Sequence, residues 1–385
     1  MVACSAALDA AATLLSAGTG PVAVDTERAS GYRYWQRAYL VQLRREGAGT
    51  VLIDPIDLVD LSKLGDVLNP LEWVLHAASQ DLPCLAELGL APAAVFDTEL
   101  AARLAGLERV GLAALVEELL GYQLLKGHGA ADWSRRPLPP EWLTYAALDV
   151  ELLLPLRTAI AAELDIQGKS SWAAEEFEAV RTAGPPAPRV DPWRRTSGMH
   201  RIQRPRELAA VRELWRARDQ LARNRDIAPG RVLPDAAIID AALTDPADEA
   251  ALLSRPVFSG RSQRRHARTW LAALETARTL PASELPPLRT QADSPPPVNR
   301  WSDRDPAAAV RLSAARAVLT EIAEQHRLPV QNLLAPDLVR RLCWEPPDLL
   351  DAAAVERQLL AGGARQWQCN LTAHPLATAL RLAAQ

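Results

Sequence analysis

The stretch PVAVDTE at residues 21–27 decides how the N-terminal half of the chain is read. Its β-branched alternation predicts a strand. A period of two sends Asp25 and Glu27 to the same face. Two carboxylates on one face of an otherwise apolar strand are costly unless a cation lies between them. An acidic strand end is also common, so the motif needs company before it carries chemistry. YLVQL at 39–43 and TVLID at 50–54 follow with short connections, as in an antiparallel meander, and WVLH at 73–76 is a fourth strand candidate. Helical signals come next. Ser79 is expected to cap a helix over 80–88, and LAALVEELLG at 112–121 ends on a glycine stop. EWLTYAALDVELL at 141–153 belongs to a long helix opening at Pro139 and Pro140. Strands followed by flanking helices predict an α/β unit around a mixed sheet.

The chain has 385 residues, which suggests two to three domains at about 150 residues each. With 49% hydrophobic and 23% charged residues, it has enough apolar surface for packed cores. No apolar run approaches the ~20 residues of a membrane span, so no membrane partner is expected. The first basic residue is Arg28, which argues against a secretory signal and for a cytoplasmic protein. The four cysteines (4, 84, 343, 369) have no CxxC spacing and read as buried free thiols.

Two Pro-rich stretches, 184–192 and 281–300, read as semi-rigid linkers. They divide the chain into 1–183, 193–282 and 301–385. The formal net charge of −4 hides a contrast between these parts. Residues 1–185 carry 14 basic and 25 acidic groups; residues 186–300 carry 20 and 13; residues 301–385 carry 9 of each. An acidic first part and a basic second part suggest metal-binding carboxylates in one and a polyanion partner for the other. Beyond the first linker the pattern is all helical, with an apolar stripe along residues 206–226. Residues 221–233 align without gaps on 322–334, an internal duplication at an offset of 101. Arg218, Arg223, Arg225, Arg231, Arg264 and Arg265 are candidate phosphate contacts, because the guanidinium fork binds oxygens bidentately. A solvated face in an Arg-rich chain accounts for them equally well.

Two further acidic signals complete the pattern. Asp81 follows a strand in HAASQDLPCL, where an interaction with a helix N-terminus would explain it. Tyr145 and Asp149 are four apart and share a helix face. Separately each has a plain structural account. Together, Asp25, Glu27, Asp81 and Asp149 supply four negative charges, matching two Mg²⁺ or Mn²⁺ ions, which prefer oxygen ligands. Two such ions about 4 Å apart clamp the attacking and leaving oxygens of a phosphodiester displacement. Tyr145, with an ordinary pKa of about 10, suits water positioning better than base catalysis.

Asp-x-Glu on a first strand, Asp in SQDL, and Tyr-x-x-x-Asp on a late helix resemble the DEDD exonuclease superfamily, Tyr subclass. The wider pattern VDTE…RAYLVQL…VLIDP…LHAASQDL…LLG…KG…DWSRRPLPPEWLTYAALDV is similar to the ribonuclease D family, and the two helical modules resemble HRDC domains. The resemblance runs from about residue 21 to the end. It implies a ribonuclease H-like mixed sheet flanked by helices, followed by two small all-α domains. It also implies that Asp25, Glu27, Asp81 and Asp149 ligate two divalent cations and that Tyr145 positions water. All five positions match, so an active enzyme is expected. Where the family often has Gln and Ser before the DW pair, this chain has GHGAADW, which leaves His128 as a loop histidine near solvent. The implied activity is 3′→5′ removal of single nucleotides from RNA, notably tRNA precursors, releasing 5′-monophosphates, by a chain expected to be a monomer. A DNA 3′ exonuclease with the same site, or a non-catalytic RNA-binding protein, are the competing readings.

Overall fold

A computed structural model of the chain describes every residue except 125–126, 185–186, 289–293 and 384–385. Lys126 of the KG pair and parts of both expected linkers therefore lie outside the described residues. Five strands form one sheet: β1 (Thr19–Glu27), β2 (Leu40–Glu46), β3 (Gly49–Ile53), β4 (Glu72–Leu75) and β5 (Ala94–Asp97). Their order is β3-β2-β1-β4-β5. The meander expected for the first three strands is present, antiparallel throughout. β4 then crosses to the free side of β1 and pairs with it in parallel, and β5 pairs in parallel with β4. AVFD, the four residues of β5, is too short to show alternation and so carries no strand signal of its own.

Alternation along β1 assigns its two faces. Val22 and Val24 join Val41, Leu43 and Ile53 under the helices Ser5–Ser16 and Ser62–Leu68. Ala23 faces the other way, into a core shared with Thr98–Ala105 and Leu153–Ile166. Asp25 and Glu27 fall on that second face, at the end of the strand. Gln42, the cross-strand partner of Asp25, is fully buried, and neither of its amide atoms has a hydrogen-bond partner.

One local expectation is corrected. The helix predicted over 80–88 is a 3₁₀ turn, Ala78–Gln80, followed by a short helix, Leu82–Ala86. Pro83 can sit only in a first turn, because it lacks an N–H and clashes with the preceding turn, so the helix restarts after Asp81. Ala77 takes a left-handed conformation (φ 62°) to make the corner. Asp97 holds this corner. Its carboxylate accepts from the backbone N–H groups of Ala77 (3.1 Å), Ala78 (2.8 Å), Glu99 (3.0 Å) and Leu100 (3.2 Å). It thereby caps the helix Thr98–Ala105 and fixes the turn that delivers Asp81.

The duplication is visible residue by residue. Pro205–Arg225, Pro229–Val232 and Asp235–Thr244 recur as Pro306–Gln325, Val330–Leu333 and Pro336–Trp344. The left-handed corners Asp226 (φ 48°) and Arg327 (φ 51°) are also 101 residues apart. The first helical unit has its own core around Leu214, Phe258 and Trp270, whereas the apolar residues of the second run on into those beneath the sheet's covering helices.

Both corners face the N-terminal unit. Asp226 Oδ1 accepts from Tyr34 N and Trp35 N, each at 3.1 Å, and Ala228 N donates to Tyr32 O at 2.9 Å. At the second corner, buried Lys169 donates to Leu104 O (2.7 Å) and His326 O (2.6 Å). Gly106 has no tolerable replacement there: its φ is 79°, and a Cβ would lie 2.4 Å from Arg327 O. Trp172 stacks on Trp367 at 4.9 Å across the same junction. Among the described residues no helix is long and apolar enough to cross a membrane. Cys84, Cys343 and Cys369 are buried and free as expected, but Cys4, just before the first helix, is free and exposed.

Lys169→Met keeps the length of the side chain but leaves two buried carbonyls without their donor. A loss of about 1–3 kcal/mol in unfolding free energy is expected, read by urea denaturation. An unchanged midpoint would mean that the ammonium contributes nothing to docking.

Candidate active site

Strand and helix bring three of the expected carboxylates together. Ligand oxygens of Asp25, Glu27 and Asp149 all lie within 4.8 Å of one another. Asp25 and Glu27 come from the end of β1, and Asp149 from the helix Pro140–Glu151, which packs across β1, β2 and β3. Asp81 stands outside this trio but beside it. After burial, its charge is the largest influence on the Asp25 carboxyl. Asp81 is 3% exposed, and its Oδ1 accepts from Thr26 Oγ1 at 2.6 Å and from Arg28 Nη1 at 3.0 Å. It occupies the residue before a helix yet makes no capping bond, so its burial is not explained by the helix terminus.

The four acids share one electrostatic state. Burial, then the charges of Asp81 and Asp149, hold the Asp25 carboxyl well above its ordinary range. Burial, then the Asp25 charge, pushes Glu27 up to about 9. Burial raises both Asp81 and Asp149 to about 6. Desolvated carboxylates that repel each other are the donor set of a hard divalent cation. The unpartnered amide of Gln42, next to Asp25 in the register, also fits a pocket completed by something other than protein.

Tyr145 hydrogen-bonds Asp149, as the four-residue spacing anticipates. Burial and the nearby anions push its phenol further up, so it is a neutral donor throughout the physiological range. Its ring is boxed in. Gly127 lies so close that a Cβ there would come within 2.6 Å of the ring, and His128 meets it edge-on at 5.8 Å. His128 is in a loop, as expected, and half-buried, with its ring against Tyr145 and Trp142. Trp133 is fully buried, its indole donating to His128 O at 3.2 Å.

The arginines separate into two groups. Arg218 is 5% exposed and bonds Leu233 O (3.1 Å) and Asp235 (2.6 Å), which commits it to its own domain's fold and removes it from the phosphate-contact set. Arg231 lies over the Tyr32 ring at 4.0 Å and donates to Gly31 O at 2.6 Å; Arg223 lies over Tyr34 at 5.6 Å. These two help dock the first helical unit onto the β1–β2 connection. Arg225, at 3.2 Å from His266, and Arg264 and Arg265 remain exposed. The sequence reading missed Thr26, Arg28 and Gly127. The signal for the first two lay in the motif itself, as the residue between the acids and the residue after them.

Without a cation the folded chain retains protons that an unfolded chain gives up above about pH 4. The stability these groups contribute therefore falls as pH rises from about 4 towards the folded value of about 9 for Glu27. Divalent ions displace the same protons. The gain in Tm on adding Mn²⁺ over EDTA should be small at pH 5 and grow steadily to pH 8.5 in calorimetric scans. A gain independent of pH would place the ion elsewhere.

Comparison with known proteins agrees with this geometry. Residues 1–165 match the family model for a 3′-5′ exonuclease, residues 207–274 that for an HRDC domain, and residues 294–380 that for a 3′ to 5′ exonuclease C-terminal domain. Ribonuclease D of Granulibacter bethesdensis is 32% identical over 337 residues, 85% of this chain and 82% of that protein. Ribonuclease D of Escherichia coli is 31% identical over 330 residues, 83% of this chain and 84% of that protein. The crystal structure of the E. coli enzyme, described as an exoribonuclease involved in structured RNA processing, superposes with a TM-score of 0.72 at 27% identity, covering 99% and 98% of the two chains. A crystal structure of a protein from Bifidobacterium adolescentis superposes at 0.89 with 38% identity, covering 98% of this chain and 95% of the other. The two curated relatives, 32% and 31% identical over more than four fifths of both chains, place this chain in the ribonuclease D family of 3′→5′ exoribonucleases.

Proposed function

We propose that the chain trims single nucleotides from the 3′ ends of tRNA precursors, releasing 5′-monophosphates, and that Asp25, Glu27, Asp81 and Asp149 hold two Mg²⁺ or Mn²⁺ ions for this purpose. The observation that carries the reading is the convergence of Asp25, Glu27 and Asp149 oxygens within 4.8 Å, with Asp81 alongside. Bound there, the ions would activate water and stabilise the departing 3′ oxygen. The protein's own share is orientation. Tyr145, neutral and tethered to Asp149, presents a hydroxyl at the edge of the carboxylate cluster, where it can align the attacking water. Arg225, Arg264 and Arg265 offer exposed guanidinium groups for the backbone of the RNA. The division 1–183, 193–282 and 301–385, a monomeric state and action in the cytoplasm belong to the same reading.

End-labelled RNA tests it. Asp149→Asn removes an ion ligand and should lower mononucleotide release by about 10²-fold or more, since an ion is worth several kcal/mol in the transition state. Tyr145→Phe should lower kcat by about 10²-fold with little change in KM, as expected for a lost positioning contact. Wild-type turnover by Asp149→Asn would overturn the assignment. Equal degradation of a tRNA precursor and an unstructured RNA of the same length would overturn the tRNA part alone.

A further inference from the structure

The connection from β1 to β2 leaves the catalytic strand directly after Glu27 and closes where Tyr39 N donates to Glu27 O at 2.8 Å. Residues 28–38 carry three arginines, two tyrosines and a tryptophan, and no acidic residue. Most of the loop is spent on anchoring. Arg33 Nε donates to Ser134 Oγ at 2.7 Å, beside Trp133, whose ring meets that of Trp142 at 5.1 Å. Tyr34 donates its hydroxyl to Asp219 at 3.0 Å and lies under Arg223. Trp35 is held differently, by its backbone alone. Its N–H donates to Asp226 Oδ1 at 3.1 Å, and its ring meets only the edge of Tyr34, at 5.1 Å and 78°. The ring is 45% exposed, whereas the other ten tryptophans are buried or half-buried. Arg37 is exposed as well and makes no hydrogen bond or ion pair among the described residues. Arg225, next to Asp226, is a further exposed cation.

We propose that Trp35 is a stacking platform for a base of the RNA strand upstream of the nucleotide being removed, with Arg37 and Arg225 as phosphate contacts beside it. This rests on the trimming of RNA from its 3′ end and not on tRNA as the substrate. The surroundings decide the partner. The nearby acids Asp219 and Asp226 are already committed, to the Tyr34 hydroxyl and to two backbone N–H groups, so the unspent charge is positive. An exposed ring among free guanidinium groups suits a polyanion that also offers flat faces, which is single-stranded nucleic acid. Place supports it too. Trp35 follows Glu27 by eight residues, so it lies no more than about 29 Å along the chain from the catalytic strand. The pinned backbone presents the ring in a fixed position, which lowers the entropy lost on binding. Every base has a π face, so one platform serves each base in turn as the strand advances. The platform also needs the first helical domain, because Asp226 belongs to it.

Single-stranded RNAs with one abasic nucleotide, placed stepwise further from the 3′ end, test this on the full chain. In wild type, KM should rise about tenfold when the abasic nucleotide falls at one upstream position, the loss of a single base–aromatic stack. Trp35→Ala should raise KM for intact RNA about tenfold with kcat little changed, and its abasic profile should be flat. Trp35→Leu, apolar but without a flat face, should behave like Trp35→Ala, whereas Trp35→Phe should stay near wild type. The Leu and Phe variants separate stacking from a folding defect, and equal losses in both overturn the platform. RNA binding in EDTA reads the phosphate contact: Arg37→Ala should flatten the slope of log K against log salt by about one unit. An unchanged slope removes Arg37 from the contact set. An unchanged KM in Trp35→Ala, or an abasic profile that survives in it, overturns the platform and leaves RNA trimming standing. A wild-type chain that releases no mononucleotide from intact RNA overturns the trimming itself.

Discussion

Mutual repulsion among desolvated carboxylates is the constraint that the rest of this structure withstands. Asp25 and Glu27 are forced onto one face by the pleat of β1, and Asp149 is pressed against them by the helix Pro140–Glu151. The acids respond by holding protons far above their usual range. Apolar packing supplies the force that keeps them there. Val22 and Val24 anchor one face of β1, and Ala23 with Val150 anchors the other, so neither strand nor helix can retreat without opening a core. A site of this kind stores affinity for cations in the fold itself.

The surroundings of the site serve that constraint in distinct ways. Asp97, another buried acid, gives its oxygens to four backbone donors and so fixes the corner that delivers Asp81. Lys169, buried like the acids, bonds to two carbonyls and ties the second helical domain to the nuclease domain. The duplicated modules dock through equivalent left-handed corners, Asp226 and Arg327, on opposite sides of the duplication. One corner grips the β1–β2 connection that follows the DTE motif, and the other meets the helix end at Gly106. The same corner has thus been put to the same use twice with different chemistry: a side-chain carboxylate in one copy, the His326 carbonyl in the other.

Much of this was legible from the chain because the signals were local. The alternation of residues 21–27, the four-residue spacing of Tyr145 and Asp149, the glycine stop at 121 and the 101-residue offset all map onto elements of the expected kind, although the strand starts at Thr19 and the helix carrying Tyr145 and Asp149 ends at Glu151 rather than running through Leu153. What escaped was non-local or too short to have a period. β5 is four residues long and becomes a strand by pairing with β4. Ser79 resembles a helix cap, whereas Pro83 and the carboxylate of Asp97, 16 residues beyond Asp81, dictate a 3₁₀ turn before Asp81. Arg218 looked like its neighbours on a basic helix, and only the packing of that helix shows it to be internal.

By itself the sequence determined the identity of the acids, the strand and helix that carry most of them, and the order of three units. Those features follow from side-chain periodicity and chemistry, which act over a few residues. Tertiary structure alone decided which acids meet, which one already has a cation beside it, and which arginines are spent on docking. These depend on contacts between residues 52 to 200 positions apart, such as Arg28 with Asp81 and Gly31 with Arg231. No local pattern encodes such distances, because chain folding, not spacing, sets them.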